Sequence, residues 1–232
     1  MTDQANSADS GAGSAIRVLL ADDEEMIRHG VRLILRHADG IEVVAEAADG
    51  AGAVRLAAEL RPDVVLLDIR MPVLDGLAAV EPLVALAPAP QVVMLTTFGD
   101  EENVLRALRA GATGFLLKDE GPQALISAVR AAAAGDAVLS PGVTGTVVRR
   151  MLSGGGAGAG AAAPDGRLAG LTDRERGVLV MLGKGLSNQE IGRRLGIGVG
   201  TVKTHVRSIL AKTGCGSRVQ AALLAHQAGL MG

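Results

Sequence analysis

Four groups of side chains in the first 120 residues have the types needed to take up and hold a phosphoryl group. They are Asp22-Asp23, Asp68, Thr96 and Lys118, and each follows a short apolar run. Three carboxylates brought together repel one another, and a hard divalent cation with oxygen ligands relieves that repulsion. In such a cluster Asp68 is the candidate nucleophile toward phosphorus. Asp22 and Asp23 are its candidate metal-holding neighbours, with the backbone carbonyl of Arg70 placed to complete the shell. Lys118 offers a positive charge, and the Thr96 hydroxyl a hydrogen bond, to the oxygens of a bound phosphoryl group. The implied ion is Mg2+ or Mn2+.

For these groups to meet, the chain must end several strands at one edge. Short β-branched runs at Ile16–Ala21, Ile41–Ala45, Val64–Leu67, Val92–Leu95 and Gly114–Leu117 have the character of buried parallel strands. The stretches Glu25–Ala38, Gly50–Leu60, Leu77–Ala87, Glu101–Ala110 and Pro122–Ala134 can form the covering helices, with Pro82 a flaw in the third. The fold class expected is α/β: a doubly wound, five-stranded parallel sheet, flavodoxin-like, whose site lies outside the carboxyl ends of the strands.

A second chemistry lies near the C-terminus. Residues 170–232 hold nine Lys/Arg against three Asp/Glu, while the rest of the chain holds fourteen against twenty-two. A basic module on an acidic one points to a polyanionic partner for the C-terminal piece alone. With no Trp or Tyr and only two Phe, nothing supports stacking of single-stranded bases. Thr172-x-x-Glu175 and Ser187-x-x-Glu190 are two capping boxes, and a further helix is expected from about Val199 to Thr213. Short capped helices about a glycine turn are the arrangement that sets a helix in the major groove. Val202, Val206, Ile209 and Leu210 make an inward stripe on that helix. Lys203 and Arg207, four apart, share the outward face with Thr204.

Between the modules, residues 153–170 are so rich in glycine and alanine that a flexible tether is expected. The domains read as a disordered tail, 1–15; the α/β unit, 16–136; a connecting helix and linker, 137–169; and an all-α unit, 170–232. Cys215, the single cysteine, is expected to be a buried thiol. No apolar run reaches 18 residues and the N-terminus is polar, so a cytoplasmic protein without membrane contact is expected.

The motifs Leu20-Ala21-Asp22-Asp23, Asp68-Ile69-Arg70-Met71-Pro72 with Asp75-Gly76, Leu95-Thr96-Thr97-Phe98 and Gly111-Ala112 through Lys118-Asp119 resemble the receiver domain of two-component response regulators. Residues 169–231, with Gly185-Leu186-Ser187-Asn188-Gln189-Glu190-Ile191, Thr201-Val202-Lys203-Thr204-His205-Val206 and Ser217-Arg218-Val219-Gln220-Ala221-Ala222, resemble the LuxR-type helix-turn-helix. The whole is similar to the NarL/FixJ family. The resemblance implies a phosphorylation-dependent DNA-binding transcriptional regulator rather than an enzyme. Asp68 would accept the phosphoryl group from a partner histidine kinase, and a homodimer would then bind double-stranded DNA. It implies that Phe115 changes its burial as Thr96 moves toward the phosphoryl group. Lys203, Thr204 and Arg207 would face bases or phosphates, with His205 and Arg218 anchoring backbone or scaffold. The helix around Arg218–Ala228 would pair two copies through Val219, Ala222 and Ala225. Two departures stand out: Val73 and Gly198 replace the family's usual glycine and serine.

Two other readings fit the sequence. One is a regulator of the same fold controlled by protein contact or a small ligand. The other is a phosphohydrolase using Asp68, which would need a second acid soon after the nucleophile where Ile69-Arg70 stand.

Overall fold

A computed structural model describes residues 15–97, 101–139 and 164–230. The expected N-terminal tail, apart from residue 15, lies outside the described residues, as do Phe98 and most of the connecting helix and linker.

The N-terminal unit alternates β1 (Ile16–Ala21), α1 (Glu25–Arg36), β2 (Ile41–Ala47), α2 (Gly50–Leu60), β3 (Val64–Asp68), α3 (Gly76–Val84), β4 (Gln91–Thr96), α4 (Glu101–Ala110), β5 (Gly114–Leu117), α5 (Pro122–Ala134) and β6 (Val138–Leu139). The sheet is parallel, in the order β2-β1-β3-β4-β5-β6. Side chains alternate between its faces. Leu19, Val65, Leu67, Val92, Met94 and Phe115 pack toward α2, α3 and α4. Val18, Leu20, Val64, Leu66, Val93 and Leu116 pack toward α1 and α5. All five residues of β3 are buried, which is why Val64–Leu67 reads as continuously apolar.

The structure departs from the sequence reading in three places. A sixth, two-residue strand pairs with β5. The third helix stops at Val84, two residues past Pro82, which cannot donate to a carbonyl in the preceding turn. Part of the expected tether is helical: α6 (Pro164–Leu168) begins with proline at its first position. Leu168, 3% exposed, joins the C-terminal core.

The C-terminal unit comprises α6, α7 (Asp173–Gly183), α8 (Asn188–Leu195), α9 (Val199–Thr213) and α10 (Arg218–Gln227). Both capping boxes form, on Thr172 with Glu175 and on Ser187 with Glu190. Glycine lowers helix propensity at Gly192 within α8, yet an added Cβ there would lie 2.8 Å from the Ile197 carbonyl oxygen. The tight turn between α8 and α9 therefore requires a residue without a side chain. Val178, Leu179, Leu182, Ile191, Val202, Val206, Ile209, Leu224 and the free thiol of Cys215 form one buried core.

A carboxylate fastens that core. Glu175, 4% exposed, accepts from Lys212 Nζ at 2.8 and 2.9 Å, Ser208 Oγ at 2.6 Å and the Thr172 amide at 2.8 Å. The Lys212 hydrogen bonds, followed by those from Ser208 and the Thr172 amide, hold its carboxyl at about 2 against an ordinary value of 4.5. A depressed carboxyl stabilises the fold above its unfolded value and ceases to do so as pH falls through the folded one. Glu175→Gln is therefore expected to cost about 2 kcal/mol at neutral pH. The deficit should shrink as pH drops from 4.5 toward 2, which urea denaturation at a series of pH values would check.

Candidate phosphoryl site and DNA-facing surface

The carboxyl ends of β1, β3, β4 and β5 bring the four groups to one edge. Lys118 Nζ lies 2.7 Å from Asp22 Oδ2 and 2.7 Å from Asp68 Oδ1. Asp22 is fully buried, Asp68 is 6% exposed and Asp23 faces solvent. One carboxylate oxygen from each of the three lies within 4.8 Å of the others. Thr96, also buried, ends β4 beside β5, and its carbonyl accepts from the Lys118 amide at 2.7 Å. Asp23 and Arg70 line an open cleft of about 540 Å³ with Met71, Pro72, Asp75 and Asn103.

The electrostatics are those of an acid-rich site with one cation. Burial pushes the Asp68 carboxyl above the ordinary range, Asp22 adding to the shift, against the opposing pull of Lys118 and the Arg70 amide. Burial works to lower the Lys118 ammonium, but its hydrogen bonds to Asp22 and Asp68 prevail and raise it. Lys118 is thus a fixed positive charge. Buried Asp22 Oδ2 has Lys118 Nζ as its close polar contact. Three carboxylates within 4.8 Å of one another share that one ammonium, and the negative charge left over suits a hard divalent cation.

Local backbone explains several neighbours. Asp75 caps α3, accepting from the Ala78 amide at 2.8 Å, and so serves the loop rather than the acid cluster. A Cβ on Gly76 would come within 1.8 Å of the Asp68 carbonyl oxygen, and the Gly76 amide donates to Ile69 O at 2.9 Å. The loop after the nucleophile closes this tightly only with glycine there. Val73 adopts φ 65° and is 87% exposed. The left-handed region is costly for a β-branched residue, which accounts physically for the glycine expected at that place. Phe115 is fully buried among Val104, Ala107 and Leu108 of α4.

In the C-terminal unit, Lys203, Thr204 and Arg207 are exposed on α9 and His205 is half-buried. Thr204 Oγ1 donates to its own helix at Gly200 O, 3.1 Å away, while Lys203 Nζ donates across the domain boundary to Ala133 O at 2.8 Å. Gly198 caps α9 without a side-chain hydrogen bond. Arg218 is 9% exposed and joins the two units. It donates to Leu186 O at 2.8 Å within its own domain, and to Gly135 O and Asp136 Oδ1 of the other.

Sequence reading missed this inter-domain contact. Gln220 Nε2 donates to Leu108 O at 2.7 Å, and Val219 is buried in the same cluster as Phe115 and α4. In this arrangement Val219 packs on the N-terminal unit, and Ala225 is wholly buried in its own core. Of the three residues only Ala222 is partly exposed.

Comparison with known proteins agrees with both halves. Residues 18–130 match the response regulator receiver domain, and residues 169–225 match the bacterial regulatory proteins of the luxR family. The transcriptional regulatory protein LiaR of Bacillus subtilis (strain 168) is 40% identical over 212 residues, spanning 91% of this chain and 97% of that protein. The nitrate/nitrite response regulator protein NarL of Escherichia coli (strain K12) is 39% identical over 210 residues, spanning 90% and 94%. The crystal structure of ChrA, a response regulator of a heme-sensing two-component system, is similar with a TM-score of 0.51 at 37% identity, covering 94% of this chain and 99% of that one. The acid cluster at the strand ends and the capped helices behind it thus sit in a full-length match, and the chain belongs to the NarL/FixJ family of two-component response regulators, with a receiver domain and a LuxR-type helix-turn-helix domain.

Proposed function

We propose that Asp68 accepts a phosphoryl group from the phosphohistidine of a partner kinase, and that this event governs binding of the helix-turn-helix domain to duplex DNA. The observation that carries the reading is the position of Lys118 Nζ, 2.7 Å from carboxylate oxygens of both Asp22 and Asp68. A carboxylate oxygen of Asp68 forms a bond to phosphorus while the P–N bond to the donor imidazole breaks, and the imidazole leaves with the electron pair. Lys118 then faces a phosphoryl oxygen, and the Thr96 hydroxyl donates to another. Asp22, Asp23, Asp68 and the Arg70 carbonyl would hold Mg2+ or Mn2+. That ion screens the negative charge of the phosphoryl oxygens from the carboxylates.

The route to DNA runs through α4. Phe115 and Val219 belong to one hydrophobic cluster on that helix, and Gln220 is bonded to Leu108 at its end. Added charge at Asp68 draws Thr96 inward and changes the packing of Phe115, which biases the contact between the domains. While the contact holds, the Lys203 ammonium is engaged by Ala133 O and withheld from a groove. Release lets two copies bind DNA as a homodimer.

Intact-mass spectrometry after treatment with a small acyl phosphate and Mg2+ tests the first step. One added phosphoryl group on the natural chain and none on Asp68→Asn is expected. Equal uptake by both would place the acceptor elsewhere.

A further inference from the structure

The end of α5 presents a row of oxygens to the DNA-binding domain. Ala133 O accepts from Lys203 Nζ at 2.8 Å, Ala134 O accepts from Asn188 Nδ2 at 2.8 Å, and Gly135 O accepts from Arg218. One residue on, Asp136 Oδ1 accepts from Arg218 Nη1 at 2.8 Å and from the backbone amide of Asn188 at 2.9 Å. The carbonyls are the negative end of a 13-residue helix, and a full carboxylate adds to them. Their partners come from three helices. They are the first amide of α8, a cation of the outward face of α9, and the guanidinium that opens α10.

This donor set is suited to a phosphodiester. Arginine offers a planar fork matched to two phosphate oxygens, lysine a point charge, and a helix-start amide a directed N–H. The side chain of Arg218 is 9% exposed, and Nη2 stays fixed on Leu186 O in its own domain, so Nη1 is already aimed. Ser187 does not satisfy the Asn188 amide, since its Oγ accepts from the Glu190 amide instead.

We propose that Asp136 and the terminal carbonyls of α5 imitate a DNA phosphate, filling a phosphodiester-binding site made by the Asn188 amide, Lys203 and Arg218. Phosphate and carboxylate then compete for one site, so DNA and the receiver cannot hold it together. The proposal rests on the reading that the C-terminal domain binds duplex DNA, and it adds which groups are exchanged.

The test uses the full, unphosphorylated chain and a fluorescent random-sequence duplex, with affinity measured over a range of salt. Asp136→Asn is compared with Asp39→Asn, a charge-matched change at an exposed side chain of the receiver. Asp136→Asn is expected to bind about tenfold tighter than that control, because the competent fraction rises. Asn188→Pro is then added. Proline is favoured at the first position of a helix and removes the amide under test, and Ser187, at φ −66° and ψ 160°, already has the backbone that must precede it; Asn188→Ala, which loses the same side-chain bonds to Ala134 O and Arg218 but keeps the amide, is its control. The double variant with Asn188→Pro should lose most of the gain, and the one with Asn188→Ala should keep more of it. The Asn188 amide resonance of the Asp136→Asn chain should also shift on adding duplex.

Binding by Asp136→Asn no tighter than by Asp39→Asn would overturn the proposal. So would an unmoved Asn188 resonance, or an affinity that Asn188→Pro lowers no more than Asn188→Ala does. If no chain bound duplex even at low salt, the DNA-binding reading itself would fall.

Discussion

Lys118→Met is expected to destabilise the receiver domain by about 3 kcal/mol in buffer free of divalent ions. The change leaves Asp22 and Asp68 buried together without their shared cation, and breaking a buried pair from one side strands the remaining charge. A loss of that size lowers the unfolding midpoint by roughly 10 °C in a domain of this length. The same variant should regain more stability from millimolar Mg2+ than the natural chain does. With Lys118 gone, an ion binding the folded carboxylates has more unrelieved repulsion to remove. Thermal unfolding followed by circular dichroism, with EDTA or Mg2+, reads both effects. A Lys118→Met chain as stable as its parent would mean that the two 2.7 Å contacts contribute nothing.

Simultaneous Lys203→Ala and Arg207→Ala substitution should weaken duplex binding by the phosphorylated chain about tenfold to a hundredfold. The slope of log affinity against log salt should become shallower by about two contacts. The single variants are expected to differ. Arg207 is exposed on α9, so its loss subtracts from DNA binding in every state. Lys203 also holds Ala133 O. Its removal therefore loosens the closed arrangement while deleting a DNA contact, and the unphosphorylated chain should lose less from Lys203→Ala than from Arg207→Ala. Titrations of both forms with labelled duplex at several salt concentrations check this. Equal losses in both forms would detach Lys203 from the domain contact.

Much of this molecule is written locally. Val64–Asp68 is a run that only a strand covered on both faces can bury, and the rule that sites lie beyond strand carboxyl ends leads from it to Asp68. The capping boxes at Thr172 and Ser187 mark two helix starts within a few residues. Where the reading stopped short, the deciding contact was distant in sequence or the element too short for a period. β6 has two residues and shows no alternation. Leu168 ends a glycine- and alanine-rich stretch, and nothing nearby reveals that its side chain enters a core. The domain contact is the plainest case. Asn188 meets Asp136 across 52 positions and Arg218 meets it across 82, and no local pattern couples residues so far apart. Val219 illustrates the consequence, since its apolar character announces burial without saying against which surface.

A phosphorylation switch requires that charge at Asp68 reach the DNA-facing helix. Affinity of the full chain for a labelled duplex, at one fixed salt concentration, should be measured before and after acyl-phosphate treatment with Mg2+, for the natural chain and for Asp68→Asn. The expected result is a rise of about tenfold or more for the natural chain, in line with a typical coupling free energy, and no change for the variant. Affinity that treatment leaves unaltered in the natural chain, or raises equally in Asp68→Asn, would contradict it.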